Sequence, residues 1–93
     1  MNSNARRFFG NLNFTITPNS STDDYDWAVY NLTNNTCADI FTNPGIEVSC
    51  NYAPNLGCGG TTGPNNNTTG PCAGQNEASI AVTPGQTYVI NVS

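Results

Sequence analysis

Apolar and polar residues alternate with a period of two in several separate stretches of the chain, and no stretch shows helical spacing over ten residues or more. Leu12, Phe14 and Ile16 share one face of a predicted strand over residues 12–17, which Pro18-Asn19-Ser20-Ser21 ends. The next predicted strand covers residues 25–30. It turns Tyr25, Trp27 and Val29 one way and Asp26, Ala28 and Tyr30 the other, and its aromatic and β-branched content suits a half-buried pleat. Residues 31–35 read as a turn, and residues 36–41 as a short irregular strand or a single helical turn. Asn43-Pro44-Gly45 is a turn signal. Ile46, Val48, Cys50 and Tyr52 then alternate with Glu47, Ser49 and Asn51 in a third strand. Two last strands, residues 78–82 and 87–92, flank Thr83-Pro84-Gly85-Gln86, where Pro followed by Gly suits a type II turn.

The pattern implies an all-β, antiparallel chain. A sandwich uses about seven or eight strands, and roughly five or six are legible here. Residues 53–76 carry almost no hydrophobic side chain, and the run from Gly57 to Asn67 is expected to be unable to bury itself. A loop of that length inside a small domain is functional, mobile or tied down by a crosslink. The expected organisation is an N-terminal arm over residues 1–11 and a module over residues 12–93.

Composition narrows the function. A chain of 93 residues holds one domain at most. Only 9% of its residues are charged, with Lys plus Arg 2 and Asp plus Glu 6, so the formal charge is -4. Soluble domains average about 25% charged residues, so solubility here rests on amides and hydroxyls. No basic patch exists to meet a phosphate backbone, which excludes a nucleic-acid partner. His and Lys are absent. Without imidazole or amine, neither a Ser-His-Asp nor a Cys-His centre nor a Schiff base can be built, so the chain is read as non-catalytic.

Four cysteines, Cys37, Cys50, Cys58 and Cys72, are spaced too widely for zinc knuckles and read as two disulfides in an oxidising compartment. The sequential pairing is expected: Cys37 with Cys50 across one strand connection, and Cys58 with Cys72 across the Gly/Asn-rich loop. Asn-x-Ser/Thr triplets at Asn13, Asn19, Asn31, Asn34, Asn66, Asn67 and Asn91 are glycosylation candidates consistent with surface display. No apolar run is long enough to span a membrane. Arg6-Arg7-Phe8-Phe9 echoes a twin-arginine signal, but no apolar run follows it.

The succession Leu12-Asn-Phe-Thr-Ile-Thr-Pro18, Asp24-Tyr-Asp-Trp-Ala-Val-Tyr30, Val48-Ser-Cys-Asn-Tyr-Ala53, Thr62-Gly63 and Ile80-Ala-Val-Thr-Pro-Gly-Gln-Thr-Tyr-Val-Ile90 resembles a recurrent module. That module belongs to secreted, adhesin-like surface proteins of gliding bacteria exported by type IX secretion. The succession is also similar to the bacterial pre-peptidase C-terminal domain. The resemblance spans residues 12–92 and implies a jelly-roll-like antiparallel β-sandwich serving display or adhesion. Such modules carry further strands ahead of the Leu-x-Phe-Thr-Ile segment, so this sandwich is expected to be incomplete on its N-terminal side. Open edges invite pairing with another chain. The expectation is therefore a fragment, or a homo-oligomeric subunit completed by strand addition into a fibre, with Phe8-Phe9 as anchor.

Among chemical candidates, Asp23, Asp24 and Asp26 supply carboxylate oxygens suited to Ca²⁺, with Asp39 and Glu47 available should strand pairing bring them near. The same residues read as solvated turn positions otherwise. Tyr25, Trp27, Tyr30, Tyr52 and Tyr88 offer aromatic faces for a sugar. Trp27 and Tyr88 are assigned to the core, and Tyr30, opposite Trp27, is the carbohydrate-contact candidate. Gly57-x-Gly59-Gly60 neither follows a strand nor opens a helix, so it is no dinucleotide loop. The resulting expectation is an extracellular, non-catalytic adhesive or structural module. The alternative is a calcium-dependent carbohydrate-binding module of a secreted hydrolase.

Overall fold

Alternation in the sequence becomes seven short strands in the computed structural model, which describes residues 10–93. They are β1 (Gly10–Leu12), β2 (Trp27–Asn31), β3 (Glu47–Asn51), β4 (Gly63–Pro64), β5 (Asn76–Glu77), β6 (Ile80–Val82) and β7 (Tyr88–Val92). Short 3-10 turns cover Cys37–Phe41, Pro44–Ile46 and Ala73–Gln75, and the described residues contain no α-helix. The chain is therefore all-β. Its central sheet has the order β3-β2-β7, β1 pairs with β6, and β4 pairs with β5. The first two sheets are antiparallel. Contrary to the purely antiparallel expectation, β4 and β5 run parallel.

Local differences have local causes. Gly10 and Asn11, assigned to the arm, belong to β1. The strand expected over residues 12–17 survives only as the end of β1 and as a bridge between Ile16 and Thr62, because the segment turns to meet the long loop. The Thr83–Gln86 turn forms as expected, with Gly85 at φ 83° and Gln86 N–H donating to Thr83 O at 3.3 Å. It does not close a hairpin, since β6 and β7 belong to different sheets.

The core lies on both sides of β2. On one face Trp27 and Val29 pack with Ile80, flanked by Leu12, Phe14, Ile16, Val82 and Tyr88. Phe14 meets the Trp27 ring edge-on, with centroids 5.3 Å apart at 72°. On the other face Ala28 and Tyr30 pack with Leu32 and Ile46, flanked by Ile40, Cys50 and Val89. Burying each large side chain contributes roughly 1.5–3 kcal/mol, so β2, covered on both faces, carries much of the stability.

The long loop departs most from expectation. Gly60, Thr62, Gly63, Pro64, Gln75 and Asn76 are buried. They enter the interior through polar satisfaction rather than hydrophobicity. The Trp27 indole N–H donates to Thr62 Oγ1 at 2.9 Å, and the Thr62 hydroxyl donates to Gln75 O. Asn51 Nδ2 donates to Gly74 O at 2.9 Å and to Glu77 Oε2 at 2.8 Å. Asn55 clamps the other end: its Nδ2 donates to Ser21 O and Asp23 O, and its Oδ1 accepts from the N–H groups of Cys58 and Gly60. Among the described residues no buried side-chain polar atom lacks a partner, the condition under which burying amides is tolerated. Close backbone approach explains two glycines. A Cβ on Gly60 would lie 2.5 Å from Asp23 O, and one on Gly63 would collide with Phe14 O. The disulfide Cys58–Cys72 closes the loop over a separation of 14 residues.

Candidate functional site

Among the described residues, the outer edge of β7 has no strand paired to it. Asp26 and Ser93 exchange both backbone hydrogen bonds, at 2.8 and 2.9 Å, and Leu32 N–H donates to Thr87 O at 2.8 Å. In an antiparallel ladder bonded and non-bonded pairs alternate. Residues 87, 89, 91 and 93 therefore direct their backbone groups at β2, while Tyr88, Ile90 and Val92 direct theirs away from it, along the edge that no other described strand pairs.

The same three residues share one face, opposite Asn31, Val29 and Trp27 in register. Sheet β1-β6 covers this face over β2 but stops short of the edge, leaving Ile90 46% and Val92 45% exposed. A groove of about 530 Å³ opens there, lined by Leu12, Val82, Pro84, Tyr88 and Ile90 among others. No residue from Thr83 to Ser93 is charged.

Several sequence-derived sites do not survive the fold. Tyr30 is only 8% exposed and sits in the core, because the Leu32 and Ile46 side chains cover the face of β2 opposite Trp27. It presents no ring to a sugar. Trp27 is buried and Tyr88 half-buried, both in the core as assigned. Tyr52 and Tyr25 are the exposed tyrosines. Asp23, Asp24 and Asp26 do not converge, and among the described residues no three His, Cys, Asp or Glu side chains form a set able to hold a metal ion. Asp39 instead accepts from the Thr36 N–H at 2.8 Å, and Glu47 accepts from the Tyr52 hydroxyl. Phe8 and Phe9 lie outside the described residues.

The sequons differ in how free their amides are. Asn13, Asn19, Asn34, Asn67 and Asn91 are exposed. Asn66 is exposed, but its Oδ1 accepts from Ser79 N–H. Asn31 is half-buried; its Oδ1 accepts from Thr33 N–H and hydroxyl, and its Nδ2 donates to Gln86.

Of the expected disulfides only Cys58–Cys72 forms. Cys37 and Cys50 are free, which corrects their pairing: Cys37 stands exposed at the start of its 3-10 turn, whereas Cys50 packs against the Tyr30 cluster. Burial, together with the neighbouring Glu47 and Glu77 carboxylates, raises the Cys50 thiol to about 11. Thiolates, not thiols, react with alkylating agents. Iodoacetamide at pH 8 is therefore expected to label Cys37 and leave Cys50 untouched in the folded protein, with Cys50 becoming reactive as pH rises toward 11. Peptide mass mapping checks this, and equal labelling of both at pH 8 would contradict the burial of Cys50.

Sequence reasoning missed Asn51, Asn55, Thr62 and Gln75, which organise the loop, because each acts through partners distant in the chain. Among the described residues no helix is long and apolar enough to cross a membrane. In comparisons with known proteins the chain matches no family model, no curated protein and no solved structure.

Proposed function

We propose that this chain is a non-catalytic, extracellular surface module with a structural or adhesive role, which gains strands from a neighbour at the edge of its central sheet. The observation that carries this reading is the β7 edge, where among the described residues no strand pairs the outward backbone donors and acceptors of Tyr88, Ile90 and Val92, beside a half-covered apolar face. Soluble proteins blunt such edges with charge, proline or bulges, and β7 has none of these. The jelly-roll sandwich implied by the resemblance belongs to this reading, with sheet β1-β6 as the short half of an unfinished second layer. The Cys58–Cys72 crosslink suits an oxidising compartment outside the cytosol.

Sedimentation equilibrium from about 10 μM to 1 mM tests it, a range matched to a small interface. Self-association that rises with concentration is expected, weakened on the order of tenfold by Val92→Lys, which places a charge on the apolar edge. A wild-type chain that stays monomeric throughout would remove the reading.

A further inference from the structure

We infer that two copies of this chain pair β7 against β7 about a two-fold axis at Ile90, closing a dimer rather than growing a fibre. This rests on the strand-addition reading above and names its partner. The edge residues Tyr88, Ile90 and Val92 all point their backbone groups outward. An antiparallel copy then sets Ile90 opposite Ile90, Tyr88 opposite Val92 and Val92 opposite Tyr88. Each of these becomes a hydrogen-bonded pair in the antiparallel pattern. The side chains of those pairs fall on one face, so apolar meets apolar across the join and β-branched and aromatic neighbours gain cross-strand contact. Asn91 falls on the opposite face, where it is exposed.

Charge agrees with this self-pairing. Each copy bears a formal charge of -4, yet none of the acidic residues lies between Thr83 and Ser93, so two β7 edges meet without like-charge opposition. The partner edges that a fibre requires are less receptive. Strand β3 carries the exposed Glu47, and its register against β2 slips from Ser49 to Glu47, both of which discourage an added strand. Strands β1 and β6 span only three residues each. Among the described residues β7 is the one edge that is five residues long, uncharged and free of a bulge. A heterologous contact needs two different receptive edges to propagate, whereas an isologous one consumes the single good edge on each copy and stops. A strand of this length buries less than the roughly 1,200 Å² of stable complexes, so the dimer is weak and concentration-dependent.

The test uses the full chain with Cys37→Ser and Cys50→Ser, which leaves the Cys58–Cys72 bridge intact. Ile90→Cys, Val48→Cys and the two mixed are each treated with glutathione disulfide, which accepts the two thiol hydrogens as a new S–S bond forms. The expected result is a crosslinked species from Ile90→Cys alone, ending at twice the 9.8 kDa chain mass. Crosslinks that form only in the mixture, joining Ile90→Cys to Val48→Cys, would overturn the two-fold pairing while leaving strand addition in place. Association without any Ile90→Cys crosslink would do the same. Should the cysteine variants fold poorly, wild-type sedimentation decides: a plateau at dimer supports the pairing, and growth beyond dimer overturns it. Monomer alone to about 1 mM removes this inference and the reading beneath it together.

Discussion

Trp27→Ala is expected to cost about 3–5 kcal/mol, the range for emptying a large aromatic site in a core. Small domains have only about 5–15 kcal/mol in total, so the variant should lose a large share of its stability. Trp27 is 1% exposed, its ring meets Phe14 edge-on, and its indole N–H donates to Thr62. Removing it empties one face of the central strand and leaves a buried hydroxyl without its donor. Trp27→Phe separates these effects, keeping a ring against Phe14 while deleting the hydrogen bond, and should cost a smaller amount, about 1–3 kcal/mol. Urea unfolding followed by far-ultraviolet circular dichroism measures both, since the chain has a single Trp and fluorescence is lost with it. Equal stability of Trp27→Ala and wild type would mean that Trp27 is not the keystone of this core.

Breaking the Cys58–Cys72 bridge, by reduction or by Cys58→Ser with Cys72→Ser, is the second large effect. Closing a loop of 14 residues restrains the unfolded chain by about 3 kcal/mol in the loop-entropy model. For a domain this small that lowers the melting temperature by roughly 12–24 °C. The loss should not be independent of Trp27. The bridge holds together the segments that carry Thr62 and Gln75, and the Thr62 hydroxyl accepts the indole N–H and donates to Gln75 O. A double-mutant cycle between Trp27→Phe and the bridge deletion should therefore show a coupling of about 0.5 kcal/mol or more. Strict additivity would mean that the buried polar contacts persist in the untethered loop.

Both effects show where reading the chain succeeds and where it stops. The alternation over residues 25–30 assigned Trp27 and Val29 to one face and Ala28 and Tyr30 to the other, and the fold keeps that division. What alternation could not convey is that β2 is a central strand covered twice. Tyr30 therefore looked available for a ligand although Leu32 and Ile46 bury it. The helical turn weighed for residues 36–41 is present as the 3-10 segment Cys37–Phe41. The spacing of the cysteines placed Cys58 and Cys72 correctly across the loop, and failed for Cys37 and Cys50, whose environments differ for reasons set by distant packing.

Strand periodicity, turn residues and the scarcity of charge are local properties, and they alone establish an all-β chain with its main strands near β2, β3, β6 and β7. Which strands pair, which face is covered twice and which edge is left open depend on contacts between residues far apart, such as Trp27 with Thr62 and Asn51 with Glu77. A polar loop can be buried only when its donors and acceptors find partners. Those partners exist only once the chain has closed on itself, so the order of residues 53–76 and the openness of β7 are decided by the tertiary structure.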